Sequence, residues 1–160
     1  MHMNEGVEWA IHSCLLLDWL DDQGPVPTAK LAAAFELPRV YLNKQLQALS
    51  RAGIVASTSG AKGGFTLARP PEGITLMDIV AAIEGPEDVF RCQEIRQRGV
   101  GASAPKASFR DQCVIAAAMR TAEVAWRRAL TAQTLADIRA SSDSGAPQAA
   151  VMMRNWYAAQ

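Results

Sequence analysis

What this chain lacks narrows the field before what it contains. No apolar run approaches the roughly 20 residues that cross a bilayer, and no basic-then-apolar stretch opens the sequence. The expected compartment is therefore the cytoplasm. Cysteine is scarce, with three in 160 residues, and histidine scarcer, with two. In a reducing compartment Cys14, Cys92 and Cys113 read as metal ligands, redox sensors or core residues rather than as a disulfide framework. No nucleophile–base pattern, Walker loop or zinc signature is present, so an enzyme is not expected. Net charge is absent too, 16 basic residues against 16 acidic.

That neutral total hides a division. Between Pro27 and Pro70 the positive residues Lys30, Arg39, Lys44, Arg51, Lys62 and Arg69 face Glu36 alone, a net of +5. The first 22 residues carry Glu5, Glu8, Asp18, Asp21 and Asp22 with no Lys or Arg. A basic segment on an acidic body suits a surface that meets nucleic acid.

The chain has helical punctuation. Val7, Ala10, Ile11, Cys14 and Leu15 recur at helical spacing, so residues 4–20 read as a first helix with Asn4 as its N-cap, broken from Asp21 to Pro27. Thr28 is expected to cap a short helix, TAKLAAAFE, with Leu31 and Phe35 inward. Leu37-Pro38 makes a turn, because the residue before proline resists the helical region. Arg39–Ala52 then forms a helix with Val40 or Tyr41, Leu42, Leu46 and Leu49 inward, closed by Gly53. Two β-prone runs follow, Ile54–Thr58 and Phe65–Ala68, around a turn of Ser59, Gly60, Lys62, Gly63 and Gly64. Glycines supply the positive φ a tight hairpin needs and let a backbone approach a partner closely. Thr75 caps LMDIVAAIE, which ends near Gly85; periodicity then lapses from Pro86 to about Phe109. A long helix is expected from Asp111 to about Arg139 and a flexible tail from Ser141.

Helix, turn, helix and hairpin is the layout of a winged DNA-binding domain, whose second helix lies in the major groove. The stretch GAKGGFTLARPPEGITLMDIVAAIEG gives it a family signature: over residues 5 to 135 the chain resembles the Rrf2 family of bacterial transcription regulators. The resemblance implies a mainly α fold with a small β-hairpin. It lays out a winged helix-turn-helix domain over 4–85, a cluster-binding loop over 86–110, a dimerisation helix over 111–139 and a tail over 140–160. It also implies a homodimer on a double-stranded DNA operator. The DNA-contacting set is then Thr28, Arg39, Val40, Asn43, Lys44, Gln47, Arg51, Ser59 and Lys62. Arg39, Asn43 and Lys44 are the base readers, because Arg and Asn make bidentate contacts with guanine and adenine. Arg51 and Lys30 position the backbone. Family members often carry arginine where this chain has Ser59, which passes the wing contact to Lys62.

Many members of that family hold an iron–sulfur cluster on three closely spaced cysteines before the dimerisation helix. Here only Cys92 and Cys113 stand in that region, and two thiolates cannot complete the four ligands of a [2Fe-2S] cluster. Glu8 and His12, four residues apart, project within about 40° of each other on the first helix, and both are competent iron ligands. Cys14 lies on the core stripe and reads as a small buried hydrophobe. The segment E-W-A-I-H with two distant cysteines is similar to a redox-sensing member of the family. That similarity implies a shared [2Fe-2S] cluster, with Glu8 and His12 from one subunit and Cys92 and Cys113 from the other, and Trp9 as a redox relay. Other readings of the same residues are a cluster-free regulator with a thiol–disulfide switch or small ligand, and an electron carrier.

Overall fold

The computed structural model describes residues 3–160. They divide into two compact units, one of residues 3–86 with Leu130–Gln160 and one of Glu87–Ala129. In chain order the helices are α1 (Glu5–Trp19), α2 (Thr28–Ala34), α3 (Arg39–Arg51), α4 (Leu76–Glu84), α5 (Val114–Thr131), α6 (Leu135–Gly145) and α7 (Gln148–Ala158), with strands β1 (Val55–Thr58) and β2 (Gly64–Leu67) after α3.

The larger unit is built around α1. The Asn4 side chain accepts from the Gly6 N–H at 2.8 Å, and the Asn4 N–H donates to the Glu84 carboxylate at 2.6 Å. This satisfies donors that a helix start leaves open. From Ser13 to Trp19 every residue of α1 is buried, the mark of a helix enclosed on all sides. Leu31, Leu42, Leu46, Leu49, Ile54 and Ile79 close over it, each at 0% exposure. Cys14 lies in this core, also at 0%.

Helices α2 and α3 form the helix-turn-helix pair, with two departures from the sequence pattern. Pro27, not Thr28, occupies the α2 N-cap: its ring presets φ at −63°, and its carbonyl accepts from the Lys30 and Leu31 N–H groups. Thr28 becomes the first helical residue. Neither Val40 nor Tyr41 faces inward; they are 82% and 64% exposed. Leu42, Leu46 and Leu49 already complete the buried stripe of α3, and positions 40 and 41 lie about 200° and 100° around the helix from Leu42. The end of α3 is a Schellman closure around Gly53, whose φ is +68°. There the Gly53 N–H donates to the Ser50 carbonyl and the Ile54 N–H to the Leu49 carbonyl, both at 3.0 Å.

Strands β1 and β2 pair antiparallel in a register running from Val55↔Leu67 to Thr58↔Gly64. The hairpin is tied to the segment before α2, because Val26 and Phe65 exchange two backbone hydrogen bonds of 2.9 Å. Two glycines make the turn and this packing possible. A Cβ on Gly63 would lie 2.3 Å from the Thr58 carbonyl oxygen, and one on Gly64 would lie 2.4 Å from the Val26 carbonyl. Both glycines thus approach the chain's own backbone closely.

Downstream, the expected single helix over 111–139 is two. Helix α5 stops at Thr131, and α6 begins after Thr134. Thr134 and Asp137 form a capping box, as Thr75 and Asp78 do at α4. The two starts lie side by side: the Leu76 N–H donates to the Gln133 carbonyl at 2.9 Å and the Leu135 N–H to the Ile74 carbonyl at 2.8 Å. The tail expected to be flexible from Ser141 is also helical. Ala149, Ala150, Met153 and Tyr157 of α7 pack on the core, and Arg154 pairs with Asp22 at 3.6 Å. The smaller unit consists of 3-10 turns at Ile95–Gln97, Gly99–Ser103 and Lys106–Phe109, followed by most of α5. No described helix is long and apolar enough to cross a membrane.

Candidate functional site

Two surfaces carry chemistry. The first is the outward face of α3 with the hairpin tip. With Leu42, Leu46 and Leu49 committed to the core, Arg39, Val40, Asn43, Lys44, Gln47 and Arg51 all stand exposed. No acid shares the helix. Ser59 and Lys62 are exposed at the hairpin tip, where Gly60 takes φ +104°. Thr28 and Lys30 are half-buried, and the Lys30 ammonium lies 4.6 Å from the Tyr157 ring centroid. A polar, acid-free helix face beside a basic loop is suited to phosphates and base edges.

The second lies in the smaller unit. Cys92 is exposed in the irregular segment, while Cys113 is buried immediately before α5. Their sulfurs and a carboxylate oxygen of Glu94 all lie within 4.8 Å of one another. The start of α5 is what tunes Cys113. Backbone N–H groups of Ala116 and Ile115 point at its sulfur and Arg96 stands nearby, so the thiol is held below its ordinary range. The Glu94 N–H donates to the Cys92 sulfur at 3.4 Å. Arg96 grips the Glu94 carboxylate through two hydrogen bonds of 2.6 and 3.0 Å, which holds that carboxyl below the usual carboxylate range. Arg96 in turn donates to the Asp111 carbonyl at 3.1 Å and rests over the Phe109 ring. A cavity of about 170 Å³ opens on both sulfurs and Glu94, with Asp88 and Glu123 also on its wall.

Of the four expected metal ligands, the structure brings Cys92 and Cys113 together. Glu8 and His12 lie in the other unit, both exposed on α1 and both lining an open hollow of about 390 Å³. The His12 ring also contacts Phe35, 5.4 Å between centroids. Trp9 is half-buried and packs on the core. Cys14 is unsuited to ligation, since burial pushes its thiol up to about 12. Sequence reasoning missed Glu94 and Arg96. The Cys-x-Glu-x-Arg spacing in a loop gives no warning of the left-handed backbone at Glu94 (φ 48°) that folds its carboxylate back toward the cysteines.

Helix α5 carries apolar residues that the described chain leaves uncovered. Val114, Ile115, Met119 and Val124 are exposed, and a groove of about 240 Å³ runs between Val89, Phe90, Met119 and Trp126.

The family model described as Rrf2, iron-dependent transcriptional regulator, matches residues 3–141. An HTH-type transcriptional regulator of Bacillus subtilis, YwgB, is 30% identical over 84% of this chain and 82% of its own length. The HTH-type regulator NsrR of Geobacillus kaustophilus is 27% identical over 86% of this chain and 89% of its own. Among solved structures, IscR of T. potens superposes with a TM-score of 0.68 at 22% identity, over 91% of each chain. The global cysteine regulator CymR of B. subtilis gives 0.66 at 24% identity, over 89% of this chain and 99% of its own. These likenesses match a mostly helical fold with a winged hairpin.

Proposed function

The chain belongs to the Rrf2 family of DNA-binding transcriptional regulators, and from that premise we propose that it works as a cytoplasmic homodimer switched by a shared [2Fe-2S] cluster. Glu8 and His12 of one protomer and Cys92 and Cys113 of the other would hold the cluster. The observation that carries this reading is the meeting of the Cys92 and Cys113 thiols beside the start of α5, where backbone N–H groups hold the Cys113 thiol below its ordinary range. The donor set fits half a cluster: two sulfurs within 4.8 Å suit one iron, and the second iron needs two further donors. Glu8 and His12 supply a carboxylate and an imidazole, exposed and one helical turn apart. The resemblance of E-W-A-I-H and its distant cysteines to the redox sensor RsrR supports the same division of ligands.

When bound, the cluster supplies reversible one-electron exchange, at a potential raised by nitrogen and oxygen ligands in place of thiolates. The protein's residues do the rest. Arg96 places a positive charge near both cysteines and fixes the loop through Asp111 and Phe109. The exposed Ile115–Met119 side of α5 pairs with a second copy, because burying apolar surface of this kind stabilises a dimer. A ligand set divided between protomers ties the charge of the site to their relative placement, and so to the spacing of the two α3 helices. Oxidation state then biases two dimer arrangements of different DNA affinity. Trp9, next to Glu8, is the relay we assign to that change. On DNA, Arg39, Asn43 and Lys44 read bases, with Val40 against them. Thr28, Gln47, Arg51, Ser59 and Lys62 meet the backbone or the minor groove.

Substitution tests the ligand set. After anaerobic reconstitution, Glu8→Ala, His12→Ala, Cys92→Ala and Cys113→Ala should each lower bound iron and sulfide, while operator binding by the cluster-free forms persists. Full iron content in Glu8→Ala and His12→Ala would overturn the assignment. A second reading, a thiol–disulfide switch, is favoured by the same closeness of the Cys92 and Cys113 sulfurs. It requires a colourless protein whose DNA affinity follows oxidation of those two residues.

A further inference from the structure

The Cys92–Cys113 pair has a third donor that the shared cluster does not use. Glu94 presents a carboxylate oxygen within 4.8 Å of both sulfurs. Its backbone sits at φ 48°, ψ 44°, a left-handed conformation that non-glycine residues seldom occupy and that persists where surrounding contacts hold it. Those contacts are present. The Glu94 N–H reaches the Cys92 sulfur at 3.4 Å, and both carboxylate oxygens are held by Arg96. Arg96 is itself pinned by the Asp111 carbonyl and the Phe109 ring. Outer groups orient a metal-ligating carboxylate in this way.

Charge and space agree with the geometry. The three donors, two thiolates and a carboxylate, carry three negative charges, of which Arg96 offsets one and a divalent cation two; Asp88, Arg120 and Glu123 also line the cavity. The cavity of about 170 Å³ that opens on the trio leaves room for solvent. All three donors belong to one chain and one unit, Glu87–Ala129, so no partner is needed to assemble them. Two sulfur donors favour zinc-like cations over magnesium or calcium, and three protein ligands with water in the fourth position is a common zinc arrangement.

We propose that Cys92, Glu94 and Cys113 of a single protomer form a mononuclear site for a thiophilic divalent cation of the zinc class, with water as fourth ligand. Binding releases to solvent the protons the two thiols carry. The site shares its thiols with the proposed cluster but does not rest on that reading, and the two occupants exclude one another.

The test is an anaerobic titration of the full-length, reduced, cluster-free protein with Co²⁺, followed by displacement with Zn²⁺. The expected result is one equivalent per protomer, with thiolate-to-cobalt charge transfer in the near ultraviolet and tetrahedral ligand-field bands in the visible, both removed by one equivalent of Zn²⁺. Glu94→Gln should weaken zinc binding at least tenfold, whereas Glu94→Asp should lose less. Glu8→Ala and His12→Ala should leave the cobalt spectrum as it is. Thiolate-to-cobalt charge transfer in Glu94→Gln at saturating Co²⁺ establishes that the two cysteines still meet in the variant. Zinc affinity equal in Glu94→Gln and wild type, or a cobalt spectrum without thiolate charge transfer, would overturn the site. Loss of cobalt binding in His12→Ala would assign the metal to the divided ligand set instead. A protein that never takes up a cluster leaves this titration fully informative.

Discussion

Replacing Gly64 with alanine tests how the wing is held to the body. The added Cβ would lie 2.4 Å from both the carbon and the oxygen of the Val26 carbonyl and 2.8 Å from the Pro27 nitrogen. All three are backbone atoms, so no side chain can turn aside to relieve the conflict. Overpacking of this kind costs about 1–3 kcal/mol. The neighbouring Val26–Phe65 pair, two hydrogen bonds of 2.9 Å, would lengthen, at about 0.5–1.5 kcal/mol for each bond lost. The expected destabilisation of Gly64→Ala is therefore about 2–4 kcal/mol, read from urea denaturation followed by circular dichroism. Gly73→Ala is the matched control, because a Cβ there meets nothing within 4 Å and its φ is not positive; its stability should stay within about 0.5 kcal/mol of wild type. Operator affinity should also fall in Gly64→Ala, since the hairpin that carries Lys62 is displaced. Equal stability of the two variants would refute the argument that Gly64 exists for this contact.

Lys62→Ala should weaken operator binding about equally for all sequences and reduce the slope of log affinity against log salt by about 1, whereas Asn43→Ala should cost about 1–3 kcal/mol and relax preference at one base position. Fluorescence anisotropy across a salt series and a panel of operator variants separates the two behaviours; identical profiles would remove the distinction between base reading and phosphate contact. Thr134→Ala should cost about 1 kcal/mol through loss of the α6 cap, measured by urea denaturation, and an unchanged midpoint would argue that the cap is dispensable. Asp18 carries a pH signature: burial raises its carboxyl, and the ion pair with Arg139 at 3.0 Å offsets only part of that shift. A raised folded-state pKa means its contribution is full below the ordinary carboxylate range and declines as pH rises through the folded value. The stability of wild type relative to Asp18→Asn should therefore fall from about pH 4 upward, and a rise with pH would contradict the dominance of burial.

Much of the larger unit was legible because its signals are local. The Asn4 cap, the Gly53 closure and the Thr75–Asp78 box each join residues at most five positions apart, and a sequence displays them directly. The leucine stripe of α3 was legible for the same reason. What failed was the choice between Val40 and Tyr41, where hydrophobicity suggested burial but the helix had already spent its inward face. The break before α6 had a readable signal, since T-L-A-D at Thr134 repeats the T-L-M-D pattern at Thr75; the helical run on either side of it obscured the cap. Helix α7 was hidden by the Ser, Gly, Ala and Pro content of the tail. Its cohesion comes from packing Met153 and Tyr157 on a core formed more than 100 residues earlier, and that distance is invisible to local patterning. At the candidate metal site, the two cysteines were legible as residue types. Their meeting across an irregular loop depends on the left-handed turn at Glu94 and the grip of Arg96, neither of which composition or periodicity encodes.

The most direct test of the central claim is the visible absorption and EPR of protein purified without oxygen, as isolated and after dithionite, with iron and acid-labile sulfide counted. The account expects about two irons and two sulfides per protomer, consistent with a [2Fe-2S] centre. It also expects colour that bleaches reversibly on reduction and an EPR signal present only in the reduced form. A colourless, iron-free protein that still binds its operator would contradict the cluster.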